Sequence, residues 1–277
     1  MSQMSKRWLI LDVSNLAYKA LYAFGDLSHE GAGTAAAFGI FRDLLDLSDL
    51  YSTKNVVFAF DRGCDCRRKV YQGYKGNRKE RTEEQKEAHT AVVRQLYRLR
   101  TRYLSAMGFQ NLFWQDDYEA DDIMASVCHN LRKGDEGIVV STDEDLLQLL
   151  APHVIIWNPK KKKPITDESF SKARGIGPSQ WSLVKAIAGC SSDDVPGVER
   201  VGEKTAIRYI TGNLKPATKA FQAIVESTTR IERNLQLVAL PFRGTKVFEL
   251  QEDQVTRKKW DAVVVGLGMK SLKGAWK

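Results

Sequence analysis

Trp8-Leu9-Ile10-Leu11-Asp12-Val13-Ser14-Asn15 decides how the chain is read. An unbroken apolar run that ends on a carboxylate and is followed by capping residues reads as a buried strand handing over to a helix. Ser14 or Asn15 supplies the N-cap, and Leu16, Ala20 and Leu21 continue the helical pattern. The same order recurs downstream. Val56-Val57-Phe58-Ala59-Phe60 runs into Asp61, and Ile138-Val139-Val140-Ser141 runs into Thr142-Asp143. Val154-Ile155-Ile156-Trp157 is a further apolar run, and Phe38, Phe41, Leu44, Leu45 and Leu47 repeat with helical period. Strands alternating with helices predict an α/β fold, a mostly parallel sheet flanked by helices on both faces.

In such sheets ligands sit beyond the carboxyl ends of the strands. Asp12, Asp61 and Asp143 all fall at that end. Tyr118-Glu119-Ala120-Asp121-Asp122-Ile123-Met124-Ala125 adds Glu119, Asp121 and Asp122 at the start of a helix running to about Leu131. An acidic first turn by itself is ordinary, because the helix dipole favours negative charge there. Carboxylates from several strand ends gathered beside it are not explained by capping. Packed without counter-charge they raise one another's pKa values. A divalent ion removes that conflict, and an oxygen-only donor set favours Mg²⁺ or Mn²⁺. With 4 His in the chain and none near these motifs, a zinc site is disfavoured.

The 277 residues carry a net charge of +8, which points to a polyanionic partner. From Arg62 to Arg102 there are 13 Lys/Arg against 5 Asp/Glu, so that stretch alone has the whole chain's net charge. It reads as a phosphate-binding wall rather than a solvated face. Within it, a polar segment from about Glu83 to Ala106 has sparse apolar positions (Val92, Val93, Leu96, Leu99, Leu104) and reads as a helix projecting from the body. Cys64, Cys66, Cys128 and Cys190 lack metal or redox spacing and read as reduced thiols. No apolar run reaches membrane-spanning length and Met1–Lys6 is not a signal peptide, so the expectation is a cytoplasmic protein with no membrane partner.

Lys160–Lys163 and Pro164 close the α/β part as a cationic loop. From Asp167 the pattern turns helical. Pro196-Gly197-Val198-Glu199-Arg200-Val201-Gly202-Glu203-Lys204-Thr205-Ala206 reads as helix, tight turn, helix. Glycines there admit close backbone approach, and a helix N-terminus meets an anion with Lys204 and Thr205 beside it. Val247-Phe248-Glu249-Leu250 reads as a short strand and Gly266–Lys277 as loose tail.

Taken together, Leu11-Asp12 with Ser14-Asn15, Phe60-Asp61, Tyr74-Lys75-Gly76-Asn77-Arg78, Glu119-Ala120-Asp121-Asp122, Thr142-Asp143-Glu144-Asp145-Leu146 and the Pro196–Ala206 hairpin resemble the 5′-nuclease superfamily. That superfamily holds flap endonucleases, phage and bacterial 5′–3′ exonucleases and the 5′-nuclease domain of DNA polymerase I. The match runs from about Trp8 to Tyr209, and its order and spacing are more specific than any one motif. The resemblance implies a PIN-like nuclease domain at 1–165 with a helical arch at about 70–106. It implies a helix–three-turn–helix DNA-binding domain with a C-terminal extension at 166–277. It implies that Asp12, Asp61, Glu119 and Asp121 serve one metal and Asp122, Asp143, Asp145 and Asp193 a second, with Asp121 also among the catalytic residues. Lys75 and Arg78 are implied as cations on the scissile phosphate, and Tyr74 as an aromatic stacking near the cut. Gly197, Val198, Val201, Gly202, Lys204 and Thr205 are implied to grip duplex phosphate, with K⁺ held at the hairpin.

Two positions depart from the family pattern. Cys190 stands where an aspartate is expected, which implies one firm Mg²⁺ or Mn²⁺ site and a weakened second. Arg200 stands where the hairpin has glycine, which puts K⁺ binding in doubt. The implied activity is metal-dependent, structure-specific hydrolysis of phosphodiesters in DNA at 5′ flaps, 5′ ends and junctions, and also of RNA in RNA–DNA hybrid. The implied protein is a stand-alone monomer in a bacterial or phage-infected cell. Two other classes stay in view: a PIN-type ribonuclease, and a non-catalytic junction-DNA-binding protein with an eroded second site.

Overall fold

The computed structural model describes residues 5–25, 27–76 and 82–277. β1 (Arg7–Asp12) leads directly into α1 (Val13–Phe24). A two-residue ladder, β2 (Ser28–His29) with β3 (Ala32–Gly33), precedes α2 (Ala35–Tyr51), and β4 (Asn55–Ala59) and α3 (Asp65–Val70) follow. α4 (Glu83–Arg98) continues through a π-helical turn at Leu99–Tyr103 into α5 (Leu104–Met107). β5 (Leu112–Phe113), α6 (Ala120–His129), β6 (Glu136–Val140), β7 (Val154–Asn158) and β8 (Lys163–Ile165) complete a 6-stranded sheet of order β5-β4-β1-β6-β7-β8. All its pairings are parallel except that of β7 with β8.

Register matters more for function than strand order. Asp12 pairs with Ala59 and Leu11 with both Phe58 and Val140. The three central strands therefore end level, and the residues just beyond them, Asp61 and Asp143, meet Asp12 at one edge. Side chains alternate across the sheet as the pleat requires. Ile10, Val57 and Val139 face a core shared with Ile123, Trp181, Val184, Val201 and Ile224. Leu9, Leu11, Phe58 and Ile138 face another, built with Phe41, Leu99, Leu104 and Trp260.

The first of these cores joins the sheet to the C-terminal helices. α7 (Asp167–Arg174), α8 (Trp181–Ala188), α9 (Glu203–Ile210), α10 (Lys219–Glu226) and α11 (Thr228–Val238) pack there, so the division near residue 165 is not a division between cores. The β9 (Gly189–Cys190) and β10 (Val195–Pro196) ladder joins a smaller cluster with Cys64, Tyr74 and Leu237. α12 (Arg257–Gly266) lies on the opposite face. Among the described residues, no helix is long and apolar enough to cross a membrane.

Three sequence expectations are corrected. The helix from Glu83 does not simply project: Leu99 and Leu104 are fully buried, so its C-terminal half belongs to the core. The tail is not loose, because Trp276 stacks on Trp260 at 5.2 Å and both are buried. Val247–Leu250 forms no strand; Phe248 instead stacks on Phe113 at 5.0 Å. In each case a large apolar side chain found a surface that local pattern does not show.

Candidate metal centre and the pocket above it

Asp12 caps α1, accepting from the Asn15 backbone N–H at 3.0 Å, while its other oxygen accepts from the Ser141 hydroxyl at 2.8 Å. Asn15 and Thr142 hydrogen-bond at 2.7 Å, so the starts of the two loops are tied together. Asp61 accepts from the Ala120 N–H at 2.8 Å, which docks the N-terminus of α6 against the end of β4. Asp143 accepts from the Asp145 N–H at 2.8 Å. Burial pushes the Asp12 carboxyl up to about 7, and the charges of Asp61 and Asp143 add to the rise. Asp143 is pushed up to about 6, first by lost hydration and then by Asp145. Asp121, half-buried on the first turn of α6, is raised well above the ordinary carboxylate range by burial, Asp143 and Asp12. Each of these shifts marks a carboxylate whose charge lacks sufficient compensation from the protein.

Glu119 behaves differently. Burial alone would raise it, but the Lys75 ammonium and the Arg67 guanidinium hold it below its ordinary value. It accepts from Lys75 Nζ and, at 2.7 Å, from the Tyr74 hydroxyl. Asp122 does not line the cavity; it accepts from the Glu119 N–H at 3.2 Å and shares the Arg67 guanidinium with Glu119. It is fully buried and takes a bidentate pair from Arg67 at 2.6 and 2.7 Å, and it also accepts from the Phe242 N–H at 2.8 Å. With its lone pairs thus committed, it does not join the other carboxylates in the pocket. Arg67, which the sequence reading did not single out, donates in addition to the Leu237 carbonyl at 2.8 Å and lies 4.9 Å from the Phe242 ring.

A second corner lies beside the first. One ligand atom each from Asp145, Cys190 and Asp193 falls within 4.8 Å of the others. Both carboxylates there already have ammonium partners: Lys185 is 3.2 Å from Asp145, and Lys75 is 3.2 Å from Asp193. The Cys190 thiol donates to Asp145 at 3.2 Å. Burial, then Asp145 and Asp193, push that thiol up to about 12, so it stays protonated near neutral pH. A neutral thiol is a poor ligand for a hard divalent ion.

A cavity of about 670 Å³ opens over the first corner, lined by Asp12, Asp61, Lys75, Glu119, Asp121 and Asp143. α4 and the π-helical turn wall it with His89, Val92, Leu96, Tyr97 and Arg100. Tyr74 is corrected as a stacking residue: its ring is buried, its hydroxyl reaches Glu119 and Asp193, and Arg67 and Lys75 cover it. Lys75 adopts a left-handed backbone (φ 51), held by its N–H bond to the Asp193 carbonyl at 2.8 Å. Arg78 lies outside the described residues.

At the hairpin, Gly197 is required by close approach, since a Cβ there would meet the Ala188 carbonyl at 2.2 Å. Val198 and Val201 are buried anchors, whereas Gly202 and Lys204 are exposed and Thr205 is half-buried at the start of α9. The helix preceding the turn is α8, ending at Ala188, rather than a helix beginning at Pro196. Arg200 takes the left-handed conformation (φ 59) that glycine favours, so the turn is retained at a conformational cost.

A family model described as 5′-3′ exonuclease, N-terminal resolvase-like domain, matches residues 7–175. The 5′-3′ exonuclease of Buchnera aphidicola subsp. Schizaphis graminum is 28% identical over 247 residues, 88% of this chain and 79% of that protein. DNA polymerase I of Bacillus caldotenax is 33% identical over 214 residues, 75% of this chain but 23% of the polymerase. The structure of T5 5′-exonuclease with bound zinc ions superimposes with a TM-score of 0.72 at 24% identity, covering 85% of this chain and 90% of that one. The T5 flap endonuclease in a complex with DNA and metal ions gives the same TM-score of 0.72, identity of 24% and coverage of 85% and 90%. At that identity the likeness is one of fold.

Proposed function

The chain belongs to the 5′-3′ exonuclease family, and on that premise we propose that it is a structure-specific 5′-nuclease hydrolysing phosphodiesters in DNA at 5′ ends and single-strand/duplex junctions. One observation carries the reading: Asp12, Asp61, Glu119, Asp121 and Asp143, drawn from separate parts of the chain, line one cavity together with Lys75. Three of those carboxylates have raised pKa values, the mark of a site whose counter-charge arrives from outside.

The donor set fits a hard divalent ion, Mg²⁺ or Mn²⁺, because every group offered is a carboxylate oxygen. Asp12, Asp61, Glu119 and Asp121 would hold it, and it would supply charge neutralisation and water activation. Asp143, Asp145 and Asp193 would serve a second, weaker position, which Cys190 and the two lysines disfavour.

The protein's own groups do the rest. Lys75 presents positive charge where the scissile phosphate gains negative charge, and its constrained backbone limits its wandering. Ser141 and Asn15 orient Asp12 through hydrogen bonds at 2.8 and 3.0 Å. Within residues 166–277 the hairpin acts as the duplex-binding part, with the exposed turn at Gly202 and Lys204 meeting backbone phosphate. Recognition is of shape, since phosphate contacts carry no sequence information.

A 5′-labelled flap hairpin incubated with Mg²⁺ or Mn²⁺ tests this reading. Short 5′ products from wild type and none from Asp121→Ala are expected. Intact substrate with wild type in both ions would remove the nuclease reading.

A further inference from the structure

The pocket has a wall that the chemistry above does not use. The π-helical turn at Leu99–Tyr103 sets Arg100 into it, and such turns concentrate at functional sites. The Arg100 guanidinium lies 4.3 Å from the Trp114 ring centroid and 5.9 Å from that of Phe60. Stacking occupies the face of the guanidinium and leaves its N–H edge. Among the described residues, no hydrogen bond or ion pair engages that edge. Arg62 lines the same pocket, held by Asp116 at 3.0 Å. After lost hydration, the Arg62 charge is the next cause of a lowered Arg100 pKa. Two guanidiniums lining one pocket, Arg62 held by Asp116 and Arg100 with its donor edge unused, suit an anion with several acceptor oxygens. Tyr74 being buried, this wall is also where the pocket offers aromatic surface.

We propose that Arg62 and Arg100 form a seat for a non-scissile phosphate of the single strand, with Trp114 as the residue that positions Arg100. This rests on the nuclease reading and adds to it a second grip on the strand. The strand is held at the carboxylates by the bond to be cut and at the wall by a neighbouring phosphate.

Binding in EDTA separates this from cleavage. The probes are a fluorescent hairpin duplex with a 5′ oligothymidine overhang, the same hairpin blunt-ended, and the overhang with neutral methylphosphonate linkages. Arg100→Ala should weaken overhang binding about tenfold and reduce its salt slope by about 1, leaving blunt-duplex binding unchanged. Arg62→Ala should act in the same direction, and Arg100→Lys should restore part of the loss. Trp114→Ala should mimic a milder Arg100→Ala, with Trp114→Phe rescuing. On the neutral overhang, wild type and Arg100→Ala should bind alike. Unchanged overhang affinity in both arginine variants, or equal loss on blunt and overhang probes, overturns the seat. Failure of the nuclease reading shows instead as intact flap with wild type in Mg²⁺ or Mn²⁺.

Discussion

Arg67 grips Asp122 through two hydrogen bonds of 2.6 and 2.7 Å with both side chains out of solvent, while Asp121, the next residue, lines the pocket. One turn of α6 thus separates a structural carboxylate from a functional one. Breaking a buried ion pair from one side strands the other charge and costs about 3–5 kcal/mol. Arg67→Met should therefore lower the urea midpoint strongly. Asp121→Asn should leave it unchanged or raise it, because it removes a crowded charge. A stability loss in Asp121→Asn equal to that in Arg67→Met would merge the two roles.

The raised carboxylates give the metal-free protein a pH dependence of definite sign. Asp12 sits near 7 and Asp143 near 6, and Asp121 moves in the same direction, against an ordinary value of 3.8. A folded-state value above the unfolded one means stability that is fully present below the unfolded pKa and lost as pH rises through the folded one. In EDTA the Tm should fall as pH rises from about 4 to about 7, by about 2–4 °C per kcal/mol lost. Asp12→Asn should flatten that fall, and saturating Mn²⁺ should reverse it.

Cys190 is the departure that bears on the second corner. Cys190→Asp replaces a protonated thiol with a carboxylate beside Asp145 and Asp193. The metal concentration for half-maximal cleavage should drop several-fold. Because Lys185 competes for Asp145 at 3.2 Å, Cys190→Asp with Lys185→Met should drop it further. No change in either variant would defeat the idea of a weakened second position.

Arg200 tests the hairpin. A non-glycine residue in the left-handed region costs roughly 1–2 kcal/mol, part of which glycine returns through its freedom in the unfolded chain. Arg200→Gly should stabilise by up to about 1 kcal/mol in urea melts. It should also weaken duplex binding modestly, since an exposed cation is lost.

Much of this arrangement is legible in the sequence, and the reasons are physical. The strand ends at Asp12, Asp61 and Asp143 are marked by apolar runs that stop on a carboxylate, and the parallel register does the gathering. Asp121 and Asp122 are adjacent and chemically identical, so only the tertiary position of Arg67 separates them. Tyr74 looks like an exposed aromatic in a basic, glycine-rich segment, yet its hydroxyl is drawn to Glu119 and Asp193. Arg100 resembles its neighbours Arg98 and Arg102; a π-helical turn, which no local pattern announces, turns it into the pocket. Trp260 and Trp276 belong to no local pattern; they pack on Phe41 at 5.4 Å and Phe109 at 5.6 Å, contacts that only the tertiary fold supplies.

Titrating Mn²⁺ into the metal-free protein, with free Mn²⁺ followed by its EPR signal, shows whether oxygens from separate parts of the chain share one divalent ion. Wild type should bind one ion tightly, and Asp12→Asn and Asp121→Asn should each weaken that binding by 100-fold or so, as losses of coordinating or orienting groups do. Tight binding that survives unchanged in both variants would contradict that sharing.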